Sequence, residues 1–185
     1  MRIALLAAAT VLVLSACGSS PPPAPAAAAP AGSTAKQGIA NLAPASGSLV
    51  SGKITLTPMG DGVHLTGVLG GLTANSTHGF HVHEKGDCSA ADATSAGAHF
   101  NPAGTSHGRA GAAAHHAGDM DNIVADAEGV ARVNVHVAGV TLGGGAANDI
   151  ANRALVVHAS PDDYTSQPAG NAGARVACGV ITVTQ

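Results

Sequence analysis

A two-residue rhythm is the tightest constraint on this chain. Short runs in which apolar and polar residues alternate, or β-branched residues gather, fall at 38–43, 48–57, 62–69, 77–84, 122–126, 129–137, 153–159 and 178–183, with Gly, Asp, Asn or Pro between them. Alternation marks a strand with one face buried. Ile54-Thr55-Leu56-Thr57 and Val133-Asn134-Val135-His136-Val137 show it most cleanly. Asp61-Gly62 and Glu128-Gly129 have the composition of hairpin turns. No segment carries a capped 3.6-residue apolar period. Eight short strands without a helix predict an all-β domain, an antiparallel sandwich or flattened barrel.

The first 36 of the 185 residues stand apart. Arg2 and the apolar run 3–14 read as a secretory signal over residues 1–16, too short to span a bilayer comfortably. The run ends Leu14-Ser15-Ala16-Cys17, which resembles the lipobox of bacterial lipoproteins and implies cleavage before Cys17 and lipidation of it. An ordinary signal peptide that happens to hold a cysteine is the alternative. Residues 17–36 follow as an Ala/Pro-rich tether holding five of the ten prolines, a composition that cannot bury enough apolar surface to offset its ordering entropy. Residues 37–185 form one domain. The expectation is a domain in the bacterial cell envelope, on the periplasmic side, lipid-anchored to a membrane.

Composition excludes some partners. The formal charge is −3, and removal of Arg2 makes it −4. No Lys/Arg cluster is present, so nucleic acid is not expected as a partner. Phe80, Phe100 and Tyr164 are the chain's aromatic residues. The core must therefore rest on aliphatic side chains, and no platform of stacked rings is available. In an exported chain, Cys88 and Cys178 read most simply as a disulfide, with two metal thiolates as the alternative.

Histidines point to the chemistry. In a strand, His81 and His83 project from one face, and paired neutral imidazoles begin a transition-metal site. Residues 85–120 form a long Gly-rich loop carrying His99, His107, His115, His116 and Asp119, and 160–177 a second irregular stretch. Loops this long that are loaded with ligand-type side chains are functional rather than idle. With His158, and counting His116 but not its neighbour His115, six histidines and an aspartate exceed what one tetrahedral site uses, so two sites are implied: an all-imidazole site suited to copper and a site with an oxygen ligand suited to zinc. His78 reads as a hydrogen-bonded structural residue, and His64 and His136 as outward-facing strand residues. Of the neighbours His115 and His116, one can point inward.

Gly79-Phe80-His81-Val82-His83, Ala98-His99-Phe100-Asn101-Pro102, His116-Ala117-Gly118-Asp119, Val156-Val157-His158-Ala159-Ser160-Pro161-Asp162-Asp163 and the segment 170–181 together resemble the copper,zinc superoxide dismutases. The resemblance implies an eight-stranded antiparallel Greek-key β-barrel with two long functional loops. It implies an oxidoreductase that dismutes superoxide to dioxygen and hydrogen peroxide. The activity would come from redox cycling of a copper ion bridged through a histidine to a structural zinc, protecting the envelope.

By residue, the resemblance implies copper at His81, His83, His99 and His158, and zinc at His99, His107, His116 and Asp119, with His99 as the catalytic bridge. Asp162 matches an aspartate that hydrogen-bonds a ligand on each side. Arg175 matches the catalytic arginine at the mouth of the copper channel, and Cys88–Cys178 the family disulfide. Residues 90–94 look inserted relative to eukaryotic members, which points to the bacterial branch. The short 162–175 segment lacks the guiding charges of that longer loop, leaving Lys53, Lys85 and Arg109 as candidates for steering. The fold admits a homodimer. Two other functions fit parts of the pattern: an exported copper/zinc-binding module without turnover, and a three-histidine zinc hydro-lyase or hydrolase, which leaves four ligand-type residues and Arg175 unused.

Overall fold

The computed structural model describes residues 32–184, so the signal segment, Cys17 and most of the tether lie outside it. The alternating runs form strands β1 (Gln37–Pro44), β2 (Ser51–Met59), β3 (Gly62–Gly70), β4 (Thr77–His78), β5 (Phe80–His83), β6 (Ile123–Val124), β7 (Ala131–Ala138), β8 (Ala154–His158) and β9 (Arg175–Thr184). Seven of them make one antiparallel sheet in the order β5-β8-β9-β1-β2-β3-β7, and β4 pairs with β6. A single 3-10 turn, Thr94–Ala96, is the helical element among the described residues. The all-β expectation holds. Ahead of β1, Thr34 and Ala35 donate to the Leu142 carbonyl, at 3.2 and 3.1 Å.

Two expectations shift by small amounts. The run at 77–84 is two strands, cut at Gly79. The Gly79 N–H donates to the Ser160 carbonyl and its own carbonyl accepts from His158 N–H, each at 2.9 Å. That exchange moves the chain from the β4–β6 pair to the β5–β8 pair. The first hairpin turns at Gly60-Asp61 rather than Asp61-Gly62, because Gly60 takes the positive φ (60°) that a tight turn requires and Gly62 already pairs with Met59.

Ile54, Leu56, Val63, Leu65, Leu69, Phe80, Val82, Leu155, Val157 and Ile181 are buried within the barrel core. Each such side chain contributes about 2 kcal/mol on leaving water. In β5 and β8 the pairing Phe80↔Val157 and Val82↔Leu155 faces this core, while His81↔Val156 and His83↔Ala154 face the other way. Both strands are buried throughout, because their outer face is roofed by the long loops. The first loop is laced to β5: Phe100 N–H donates to Val82 O at 2.8 Å, and Val82 N–H to Gly118 O at 2.9 Å. Phe100, 3% exposed, seals the roof against the core. Cys88 and Cys178 form a disulfide, with a Cα separation of 5.7 Å, so the metal-thiolate alternative falls.

Candidate metal centre

Strand periodicity places the first candidate ligands. His81 and His83 on β5 and His158 at the end of β8 share the outer face of the sheet, and all three are buried. The first loop brings His99 over them, and His99 forms a β-bridge with His83. His107, His116 and Asp119 close round the far side of His99. Two four-residue groups result, His81/His83/His99/His158 and His99/His107/His116/Asp119, and in each the ligand-type atoms lie within 4.8 Å of one another. His99 belongs to both.

Hydrogen bonds fix which nitrogen each ring presents. Asp162 accepts from His81 Nε2 at 2.8 Å and from His107 Nε2 at 3.0 Å. The His83 Nδ1–H donates to Gly97 O at 2.9 Å, and His158 Nδ1–H to Gly173 O at 3.3 Å. The opposite nitrogens are thereby left as lone-pair donors. His83 Nε2 and His158 Nε2 face one another at 3.3 Å, a contact between two lone pairs that a cation between them would relieve. His81 Nδ1, His99 Nε2, His107 Nδ1 and His116 Nδ1 are buried without a hydrogen bond, the His107 and His116 nitrogens standing 3.1 and 3.3 Å from Asp119 Oδ1. Buried polar atoms left unpaired are costly. Here all four turn toward the two clusters, so the residues fit a pair of metal ions.

Charge state supports the same fit. Burial pulls His81 down to about 4 despite its bond to Asp162. Burial and the neighbouring His81 pull His158 to about 3. Burial, with repulsion from His99, holds His83 well below its ordinary range. These rings are neutral near pH 7, the form that binds metal. Burial raises Asp119, but bonds from His99 and from the His116 and Gly108 amides outweigh it and hold the carboxyl well below the usual range. A carboxylate among imidazoles is a hard oxygen ligand, and the first group without one is the softer site.

A cavity opens beside His83, His99 and His158, and the charged groups on its wall are Glu84 and Arg175. Arg175 is held by donation to Ala93 O at 2.7 Å and Gly97 O at 2.6 Å. Of the steering candidates, Arg109 is paired with Asp121 at 2.8 Å and lies 5.3 Å over the Tyr164 ring, and Lys53 sits on β2 opposite Asn41 and Val68. None of the three lines the cavity. His78 is structural, donating from Nδ1 to His158 O at 2.8 Å. His115 turns to the His116 carbonyl.

Two residues of the centre escape sequence reasoning. Asn122 brackets the Asp162 backbone, accepting from its N–H at 2.8 Å and donating to its carbonyl at 2.9 Å. Gln167 brackets the backbone of His107 in the same way. Gly170 is needed where it stands: its φ is +66°, and a Cβ there would strike the Asp162 carboxylate.

The profile of the family described as copper/zinc superoxide dismutase (SODC) matches residues 50–181. Superoxide dismutase (Cu-Zn) 2 of Aquifex aeolicus is 46% identical over 135 residues, 71% of this chain and 79% of that protein. The superoxide dismutase (Cu-Zn) of Caulobacter vibrioides is 45% identical over 136 residues, 71% of this chain and 78% of that protein. Among solved structures, a double mutant of a SOD-like protein from Bacillus subtilis superposes with a TM-score of 0.72 at 34% identity, covering 78% of this chain and 96% of that one. A barrel of this topology, two ligand clusters meeting at one histidine, and a profile spanning β2 to β9 agree: the chain belongs to the copper/zinc superoxide dismutase family.

Proposed function

We propose that His81, His83, His99 and His158 hold copper, that His99, His107, His116 and Asp119 hold zinc, and that Arg175 receives the substrate. The activity is that of the family: an oxidoreductase that dismutes superoxide to dioxygen and hydrogen peroxide with copper and zinc. The observation that carries the residue assignment is the set of four buried nitrogens without a hydrogen bond, divided between the two groups.

When bound, copper supplies one-electron exchange and zinc supplies charge without redox chemistry. The chain does the rest. The Arg175 guanidinium attracts the superoxide anion and orients it in the cavity. Burial lowers Arg175 somewhat, against the pull of Asp92, and it stays cationic in the neutral range. Asp162 holds His81 and His107 in the tautomers that bind metal. His99 lines the cavity and its buried Nε2 has no hydrogen-bond partner, so it is the atom placed to take up a proton and return it to reduced oxygen. Gly97 O ties His83 to Arg175, which sets the substrate-binding group in register with a copper ligand.

Anomalous diffraction at the copper and zinc edges, with a superoxide assay on the same sample, tests this. One copper and one zinc in the stated groups, with turnover, is the expected result. Both metals without turnover would favour an exported metal-holding module, and zinc alone with hydrolytic activity would favour the third function.

We propose an export and anchoring role for the N-terminal segment. Residues 1–16 are removed as a signal peptide, Cys17 is lipidated, residues 17–36 tether the domain 37–185, and the enzyme stands on the periplasmic side of a bacterial membrane. The run Leu14-Ser15-Ala16-Cys17 supports this reading. Cys17→Ser should move the protein from the membrane fraction to the soluble fraction. Sedimentation of the domain tests for a homodimer.

A further inference from the structure

Tyr164 is the chain's one tyrosine, and its backbone stands where a tyrosine is seldom found. Its φ is +61°, in the left-handed region that a bulky side chain enters only at a cost. Such a conformation persists where the contacts around it over-determine it. Two of those contacts come from opposite ends of the residue. The N–H donates to Asp162 Oδ1 at 2.7 Å, and the hydroxyl oxygen accepts from the Asn122 N–H at 2.9 Å. Rotation about the N–Cα bond swings the ring while leaving the N–H in place, so the positive φ is what lets one residue meet both partners.

The ring is held from a second side. The Arg109 guanidinium lies 5.3 Å from its centroid, a cation–π distance, and Asp121 fixes that guanidinium at 2.8 Å. Asn122 does two jobs at once: its backbone N–H meets the Tyr164 hydroxyl, and its side chain brackets the Asp162 backbone at 2.8 and 2.9 Å. One residue beyond the first loop therefore grips both ends of the 162–164 segment. The Asp162 carboxylate, in turn, is shared. Its Oδ1 accepts from His107 Nε2 at 3.0 Å as well as from the Tyr164 N–H, and its Oδ2 accepts from His81 Nε2 at 2.8 Å.

We propose that Tyr164 is a positioning residue: its hydroxyl, seated on Asn122, locks the left-handed turn whose N–H fixes the Asp162 carboxylate between His81 and His107. With Oδ1 pinned from its own chain, the carboxylate cannot rotate without breaking a bond, and its remaining lone pairs stay directed at the two rings. The inference rests on the metal assignment above and adds to it a residue outside both ligand groups. It acts on both groups because Asp162 does.

The test is a double-mutant cycle on protein loaded with copper and zinc. Zinc affinity is read by competition with a chelator, and the copper by electron paramagnetic resonance. Tyr164→Phe removes the hydroxyl alone. It should weaken zinc binding by about 10-fold, the lower end for partners that orient a ligand, and should alter the copper spectrum through His81. In an Asp162→Ala background the same change should cost about 2-fold or less, because residues that act through one another are not additive. An equal loss in both backgrounds overturns the proposal, since the hydroxyl would then serve the loop alone. So does a Tyr164→Phe variant with the zinc affinity or the copper spectrum of wild type. A wild type that binds no zinc overturns the metal assignment itself, and this proposal with it.

Discussion

Gln167 and His107 hold one another by two hydrogen bonds: the His107 N–H donates to Gln167 Oε1 and Gln167 Nε2 donates to His107 O, each at 2.9 Å. One residue lies in the second long loop and the other, on the first, belongs to the group proposed to hold zinc. Zinc affinity and the shape of the channel loop are therefore tied. Gln167→Ala should weaken zinc binding by about 10-fold, read by competition with a chelator, while the copper spectrum keeps its form.

Asp162 should matter more. It fixes one ring in each group, so Asp162→Asn leaves both His81 and His107 without a charged acceptor. Zinc affinity should fall toward the upper part of the 10–100-fold range expected for such partners. The copper spectrum should also change, which separates this variant from the Gln167 one. Metal content after dialysis checks both.

Arg175 and Glu84 stand on the cavity wall with opposite charge. Arg175→Ala should lower kcat/KM by about 10-fold or more, and Glu84→Gln should raise it a few-fold, as expected for attraction and repulsion of an anion. Both changes should shrink at high ionic strength. The salt dependence of the rate, measured for the two variants side by side, decides this.

The Cys88–Cys178 disulfide anchors the segment whose Ala93 and Gly97 carbonyls hold Arg175. It closes a loop of 90 residues, for which the chain-entropy account gives about 4–5 kcal/mol. Replacing both cysteines by serine should cost a comparable amount in denaturant unfolding, and should lower kcat/KM beyond any loss of folded protein.

Metal-free protein should lose stability in acid. The folded-state values of His81 (about 4) and His158 (about 3) lie below the usual histidine value. The unfolded chain thus binds more protons in this range. The contribution is complete above about pH 6.5 and is lost as pH falls toward 4 and then 3. The melting temperature of the metal-free protein should drop across that window, and a flat profile would show that these rings are not buried neutral.

What could be read in advance follows from how local its signal is. His81 and His83 were legible because a strand's period of two puts them on one face. The 85–120 loop was legible because ligand-type residues crowd a stretch with no strand or helix pattern. The break at Gly79 was not, since it depends on a backbone exchange with residues 158 and 160. β9 begins at Arg175 rather than at 178 because pairing with β1 and β8 extends it past its alternating part. Asn122 and Gln167 act through amide-to-backbone bonds spanning 40 and 60 residues, and such bonds leave no mark on neighbouring residues.

The place of β9 in the sheet has a bearing on the order in which the enzyme assembles. β9, Arg175–Thr184, lies between β8 and β1, so β5 and β8 stay apart from the β1-β2-β3-β7 half of the sheet until it joins them. Long-range pairings of this kind form slowly, and the strands that carry His81, His83 and His158 are therefore locked in late.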